Sequence, residues 1–121
     1  MSALVVIGIG ILGGVGTLAR FLVDGALSHR WSTSFPIGTF IVNLSGAFAL
    51  GVLAGATTSE DATRLAATGL LGAYTTFSTW ALESQRLSED GELRVATLNF
   101  VVSLILGVAL AWLGTEIGGV L

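Results

Sequence analysis

Four apolar runs, each about as long as the 20 residues that a helix needs to cross a bilayer, constrain this chain more than any other feature. They lie at 3–23, 37–56, 65–82 and 95–113 and leave almost no soluble part in 121 residues. In hydrocarbon, backbone N–H and C=O groups have no water to bond, so runs of this kind are expected to be helical. Composition agrees: 53% of residues are hydrophobic and 11% charged, whereas soluble domains carry about 25% charged residues. The expected fold is an all-α membrane protein, a single four-helix transmembrane domain over residues 1–121. The N-terminus lacks a basic leader and a clear cleavage site, so it reads as a retained first span.

The connections are short and polar. Residues 24–36 contain His29, Arg30 and Trp31, of which His29 and Trp31 read as interfacial anchors, and Pro36 opens the second run, where its missing N–H does no harm. Residues 57–64 read TTSEDATR, with Ser59 as a helix N-cap followed by acids in the first turn. Residues 83–94 read ESQRLSEDGELR, and Ser88 to Gly91 reads as a turn. All five basic residues are arginines. Arg30, Arg86 and Arg94, joined by Arg20 near the end of the first run, fall on one side and Arg64 on the other, which favours loops one and three on the cytoplasmic side of the cell membrane. The net charge of −3 argues against binding to nucleic acid or anionic lipid, and the absence of cysteine removes thiol and disulfide chemistry.

Glycine occurs 17 times and proline once. Gly10/Gly14, Gly51/Gly55 and the stripe Ser103, Gly107, Ala111 recur at four-residue spacing, which lets helix backbones approach closely in lipid. One bundle of four thin helices has little interior for a pore, so an oligomer with closed symmetry is the economical assembly.

Polar residues within the runs are the candidates for function, because polar groups at membrane depth are costly unless bonded, shielded or wetted. Asn43 and Thr39, four apart on the second run, share a face; interhelical bonding and pore lining both remain open for them. The third run carries Thr75-Thr76-Phe77-Ser78-Thr79-Trp80. Adjacent β-branched residues are weak helix formers, so a local break is expected there, and carbonyls released at a break can coordinate a cation. Phe77 and Trp80 share a face and pack against each other or present positive ring edges to an anion. Asn99 and Ser103 form a similar i, i+4 pair on the fourth run. Arg20 reads either as a snorkelling anchor or as a charge that attracts anions. There is no nucleophile–histidine–acid set, no metal-ligand cluster and no phosphate loop, so an enzyme is not expected.

These residues resemble the Fluc-type fluoride channels, the CrcB family, over essentially the whole chain. Gly13-Gly14-Val15-Gly16-Thr17-Leu18-Ala19-Arg20 is similar to that family's GGxxGAxxR. Pro36-Ile37-Gly38-Thr39-Phe40-Ile41-Val42-Asn43 with Gly46 is similar to PxGTxxVNxxG. Gly72 to Trp80 with Glu83 resembles GGxTTFSTFSxE, the most specific of the matches, and Ser103/Gly107 keeps the spacing of the fourth helix. The resemblance implies an antiparallel, dual-topology dimer with two fluoride pores and a central structural sodium ion held by the backbone carbonyls of Tyr74 and Thr75. It implies a pore role for Asn43, Phe77 and Ser78, and matches Arg20 and Glu83 to the family's charged positions. Trp80 stands where a second phenylalanine is usual, Ala81 where a serine is, and Asn99 where tyrosine is often found. The expected partner is a second copy of the chain or a related paired subunit.

The expected function is passive export of cytoplasmic fluoride, which would protect the cell from fluoride toxicity. Fluoride holds its water tightly, so selective passage needs many donors at close range. Asn43, Ser78, Asn99 and Ser103 would supply them, with ring edges from Phe77. A proton-coupled multidrug exporter of similar size would need an intramembrane carboxylate, and the first run has none before Asp24. A purely structural subunit would explain the small-residue stripes but not the TTFST cluster.

Overall fold

A computed structural model describes residues 1–31, 33–56 and 59–121, and all regular structure among them is helical. Helix α1 is Ala3–Arg30, α2 is Ile37–Gly55, α3 is Glu60–Thr63, α4 is Gly72–Tyr74, α5 is Phe77–Glu89 and α6 is Leu93–Gly118; a π-helical stretch, Arg64–Leu71, joins α3 to α4. Three of these helices, α1, α2 and α6, are long and apolar enough to cross a membrane. The residues of the expected third span, 65–82, fall instead across the π-helical stretch, α4 and α5, with a break between α4 and α5.

The helices outrun the apolar runs that mark them. Helix α1 continues through His29 and Arg30, which the sequence placed in a connection; two basic side chains in a last turn suit the negative end of the helix dipole. Helix α5 extends to Glu89 and α6 starts at Leu93, so the connection between them shrinks to a tight turn closed by Gly91 at φ +79. Ser88 and Glu89, expected in the turn, belong to α5. Ser59 caps α3 as expected, its side chain accepting from Ala62 N–H at 3.2 Å. Of the connection 57–64, Thr57 and Thr58 lie outside the described residues.

The tightest seam is between α2 and α6. A Cβ at Gly51 would run into the Ala111 carbonyl and one at Gly55 into the Thr115 carbonyl; from the other side, one at Gly114 or Gly118 would meet the α2 backbone. Two small-residue stripes thus interlock backbone to backbone, the arrangement favoured where lipid offers no hydrophobic drive to association. A Cβ at Gly10, Gly14 or Gly107 would meet nothing within 4 Å among the described residues, so no helix presses on them as α6 does on Gly51 and Gly55. On α1, Gly16 packs against the Leu70 carbonyl of the π-helical stretch.

The interior is small and partly polar. Val42, Leu44 and Trp80 are buried together with Thr39, Thr76 and Asn99, while Phe21, Ile11, Ile105, Val108 and Trp112 are exposed. Soluble monomers rarely expose apolar surface on this scale. The distribution suits a chain whose outer faces meet hydrocarbon.

Candidate functional site

The break is built from two extended residues. Thr75 has φ −79 and ψ 158, Thr76 has φ −147 and ψ 121, and α5 restarts at Phe77. The Thr76 side chain caps the new helix by accepting from Thr79 N–H at 3.2 Å, satisfying one of the donors a helix start leaves open. On the other side, the Thr75 hydroxyl donates to the Leu71 carbonyl at 3.1 Å. Adjacent β-branched threonines therefore do more than resist helix; their hydroxyls satisfy the backbone on both flanks of the gap.

Asn43 holds the gap from α2. Its Nδ2 donates to the Thr76 carbonyl and its Oδ1 accepts from Thr76 N–H, both at 2.9 Å. A carboxamide here replaces the backbone partners that Thr76 loses by leaving the helix. Each buried group left without such a partner costs about 1–3 kcal/mol, so this pair is a principal support of the break. Ser45 and Tyr74 add a hydroxyl–hydroxyl bond of 2.9 Å between α2 and α4.

The sequence-derived candidates divide among several cavities around this point. Arg20 and Thr39 line a chamber of about 190 Å³ with Thr17, Asp24, Thr76 and Thr79. Asn43, Trp80 and Ser103 line a second, of about 170 Å³. Asn43, Thr75, Phe77 and Trp80 border a third, more open space of about 280 Å³. Glu83 lies in a polar cavity of about 290 Å³ with Arg86. Thr39 faces the Arg20 chamber. One Glu83 oxygen is buried without a hydrogen-bond partner among the described residues. Ser78 is exposed and 3.5 Å from the Thr76 hydroxyl, and neither it nor Asn99 lines these cavities.

The chain matches, over residues 7–115, the family model described as CrcB-like protein, Camphor Resistance (CrcB). It belongs to the CrcB family. A similar protein is the fluoride-specific ion channel FluC 2 of Mycolicibacterium paratuberculosis (strain ATCC BAA-968 / K-10), 53% identical over 111 residues that cover 92% of this chain and 91% of that one. The protein of the same name from Mycobacterium bovis (strain ATCC BAA-935 / AF2122/97) is 53% identical over 108 residues, covering 89% and 86%. The fluoride-specific ion channel FluC 1 of Leifsonia xyli subsp. xyli (strain CTCB07) is 38% identical over 123 residues, covering 98% and 90%. Together with its long apolar helices, this makes the chain a multi-pass integral membrane protein.

Within this CrcB protein, the aromatic residues form a row. Phe77 meets Trp80 edge-on, with ring centroids 5.3 Å apart at 62°, and Trp80 stacks on Phe100 of α6 at 4.9 Å and 19°. Trp80 is 6% exposed, whereas Phe77 is 75% exposed and projects from the chain. The indole N–H approaches the Asn99 carbonyl at 3.4 Å. Asn99, 1% exposed, donates from Nδ2 to Ser84 at 2.7 Å, while its Oδ1 and the Ser103 hydroxyl are buried without partners among the described residues. The spacing of Phe77 and Trp80 predicts their contact, but not that one ring is inside and the other outside. Thr76 and Thr79 were missed as chamber-lining residues. Their signal was the hydroxyl at the second residue of the break and another three positions on, a spacing of N-capping type.

A cation at the break would have to rely on neutral oxygen, since no group of three or more His, Cys, Asp or Glu side chains suited to a metal occurs among the described residues. The extended conformation of Thr75 and Thr76 withdraws the carbonyls of Tyr74 and Thr75 from the α-helical pattern. Such oxygens fit a hard monovalent ion.

Proposed function

We propose that this protein is a fluoride-selective channel that lets cytoplasmic fluoride leave the cell passively, down its electrochemical gradient, and so protects the cell from fluoride toxicity. It is a channel in this reading and not an enzyme. The observation that carries the proposal is the 53% identity, over nine-tenths of both chains, to a protein named a fluoride-specific ion channel. The site chemistry supports it: the chambers at the break offer hydroxyl and amide donors and one arginine, and the one carboxylate among their lining residues, Asp24, shares the arginine's chamber.

In this reading the subunit is one four-helix transmembrane unit of the cell membrane, with the composite around the break as its third span. Fluoride would enter past Arg20, with Glu83 at the outer part of the same route. Thr39, Asn43, Ser78 and Ser103 would replace its water, Phe77 and Trp80 would crowd out larger anions, and Asn99 would complete the polar lining behind Trp80. A sodium ion bound to the carbonyls of Tyr74 and Thr75 would supply fixed positive charge at the centre, where no titratable side chain does. Phe77, so widely exposed on one chain, calls for a cover, and the proposed cover is a second copy in antiparallel orientation. A related paired subunit is the other candidate for that place.

Expression in bacteria stripped of their own fluoride export tests the function. Growth in fluoride should return to that of unmodified cells; continued arrest, with the protein present in the membrane, would reject the proposal. Orientation is tested separately. The chain has no native thiol, so Glu60→Cys gives a single label site in the connection before the third span. An antiparallel homodimer should be labelled from both sides of the membrane, in roughly equal parts. Labelling from one side alone would reject the homodimer and leave the paired subunit or a parallel assembly.

A further inference from the structure

We infer that the cleft between the end of α1 and the start of α2 is a binding site for an anionic phospholipid, with one acyl chain in the cleft and the headgroup phosphate on Arg30. The cleft has a volume of about 470 Å³ and is lined by Leu27, Trp31, Thr33, Phe35, Ile37 and Ile41. Its floor is apolar; the Thr33 hydroxyl is already spent on the Phe35 carbonyl at 3.1 Å. Among the described residues no charged one lines it, although Glu83, Arg86 and Asp90 sit in the adjoining cavity.

The direction of the cleft fixes the pose. Ile41 lies a turn inside α2, on an apolar helix long enough to cross a bilayer, while Trp31 follows the last residue of α1. At about 1.5 Å rise per residue, the 28 residues of α1 outreach the ~30 Å hydrocarbon core, which carries Arg30 to the headgroup level. There the guanidinium stacks over the Trp31 ring at 5.3 Å. Among the described residues it has no carboxylate within salt-bridge distance. A planar cation held beside an apolar trough at the interface complements a phosphate joined to an acyl chain. This refines the expectation from net charge: an acidic chain overall still presents a local cationic edge where lipid headgroups lie.

Bromine on acyl chains quenches nearby tryptophan, which gives a direct test on the whole protein. Trp112 is exposed and Trp80 buried, so the difference between Trp112→Phe and the Trp31→Phe/Trp112→Phe pair isolates Trp31. The protein is reconstituted in phosphatidylcholine vesicles containing rising fractions of acyl-brominated phosphatidylglycerol or, in parallel, acyl-brominated phosphatidylcholine. The anionic lipid should half-quench Trp31 at about one-fifth of the mole fraction its zwitterionic counterpart needs, the worth of one arginine near a charged surface. Arg30→Gln should erase that preference while brominated phosphatidylcholine still quenches, which also shows that the cleft has survived the change. Equal quenching by both lipids in the Arg30 protein would overturn the inference. So would a preference that survives Arg30→Gln. Absence of quenching by either lipid would overturn it too, and would assign the cleft to a protein surface, such as a second copy.

Discussion

Asn43→Ala should reduce fluoride efflux from reconstituted vesicles by at least tenfold. The expected loss has two sources that act at one place. Alanine removes a donor from the wall of two cavities, and it also strips both 2.9 Å bonds from the Thr76 backbone. Two buried backbone groups left unpaired cost about 1–3 kcal/mol each, enough to reshape the break. Asn43→Asp should suppress flux as well, for a different reason. Its carboxylate can still accept from Thr76 N–H, but its second oxygen then faces the Thr76 carbonyl, and its charge repels the anion. Gel filtration separates lost assembly from lost conduction. Efflux at the native rate from correctly assembled Asn43→Ala protein would mean that Asn43 neither lines the path nor holds the break in a shape that matters.

Phe77→Ile should likewise cut flux sharply, because an aliphatic side chain keeps bulk but loses the positive ring edge. Trp80 divides the possibilities further. Trp80→Phe should retain flux: a smaller ring can still stack on Phe100 and meet Phe77, and the indole bond to the Asn99 carbonyl, at 3.4 Å, is a weak one to lose. Trp80→Ile should lose flux, because both ring contacts go, each worth about 0.5–1.5 kcal/mol, and Phe77 loses the only ring that braces it among the described residues. Intact flux in both Trp80 variants, with folding verified, would reduce Trp80 to packing between α5 and α6. Chloride should stay excluded in Trp80→Phe. Chloride leakage there would show that the indole narrows the path beyond what phenylalanine does.

Much of this architecture was legible in the residues. Hydrophobic length gave α1, α2 and α6, and the Thr75-Thr76 pair marked the break. The helix ends were not legible, because hydropathy reports where a chain meets lipid and not where its helix stops. Arg30, Ser88 and Glu89 are polar and helical at once. The π-helical stretch Arg64–Leu71 was invisible for a related reason: its close approach to α1 at Gly16 is a tertiary fact with no local pattern. At the site, helical spacing predicts that Asn43 and Thr39 share a face. It cannot show that Asn43 reaches Thr76, 33 residues away. Gly51/Gly55 and Gly10/Gly14 read alike in sequence; among the described residues, a Cβ would strike a neighbouring helix at the first pair and nothing at the second.

Fluoride release from vesicles holding the purified protein alone tests the central claim most directly. Vesicles are loaded with fluoride and chloride, potassium permeability is supplied by an ionophore, and both anions are followed by electrode. The account predicts rapid loss of fluoride from vesicles that contain protein, with chloride retained. Fluoride held as tightly as in empty vesicles, by protein whose assembly gel filtration has verified, would contradict it.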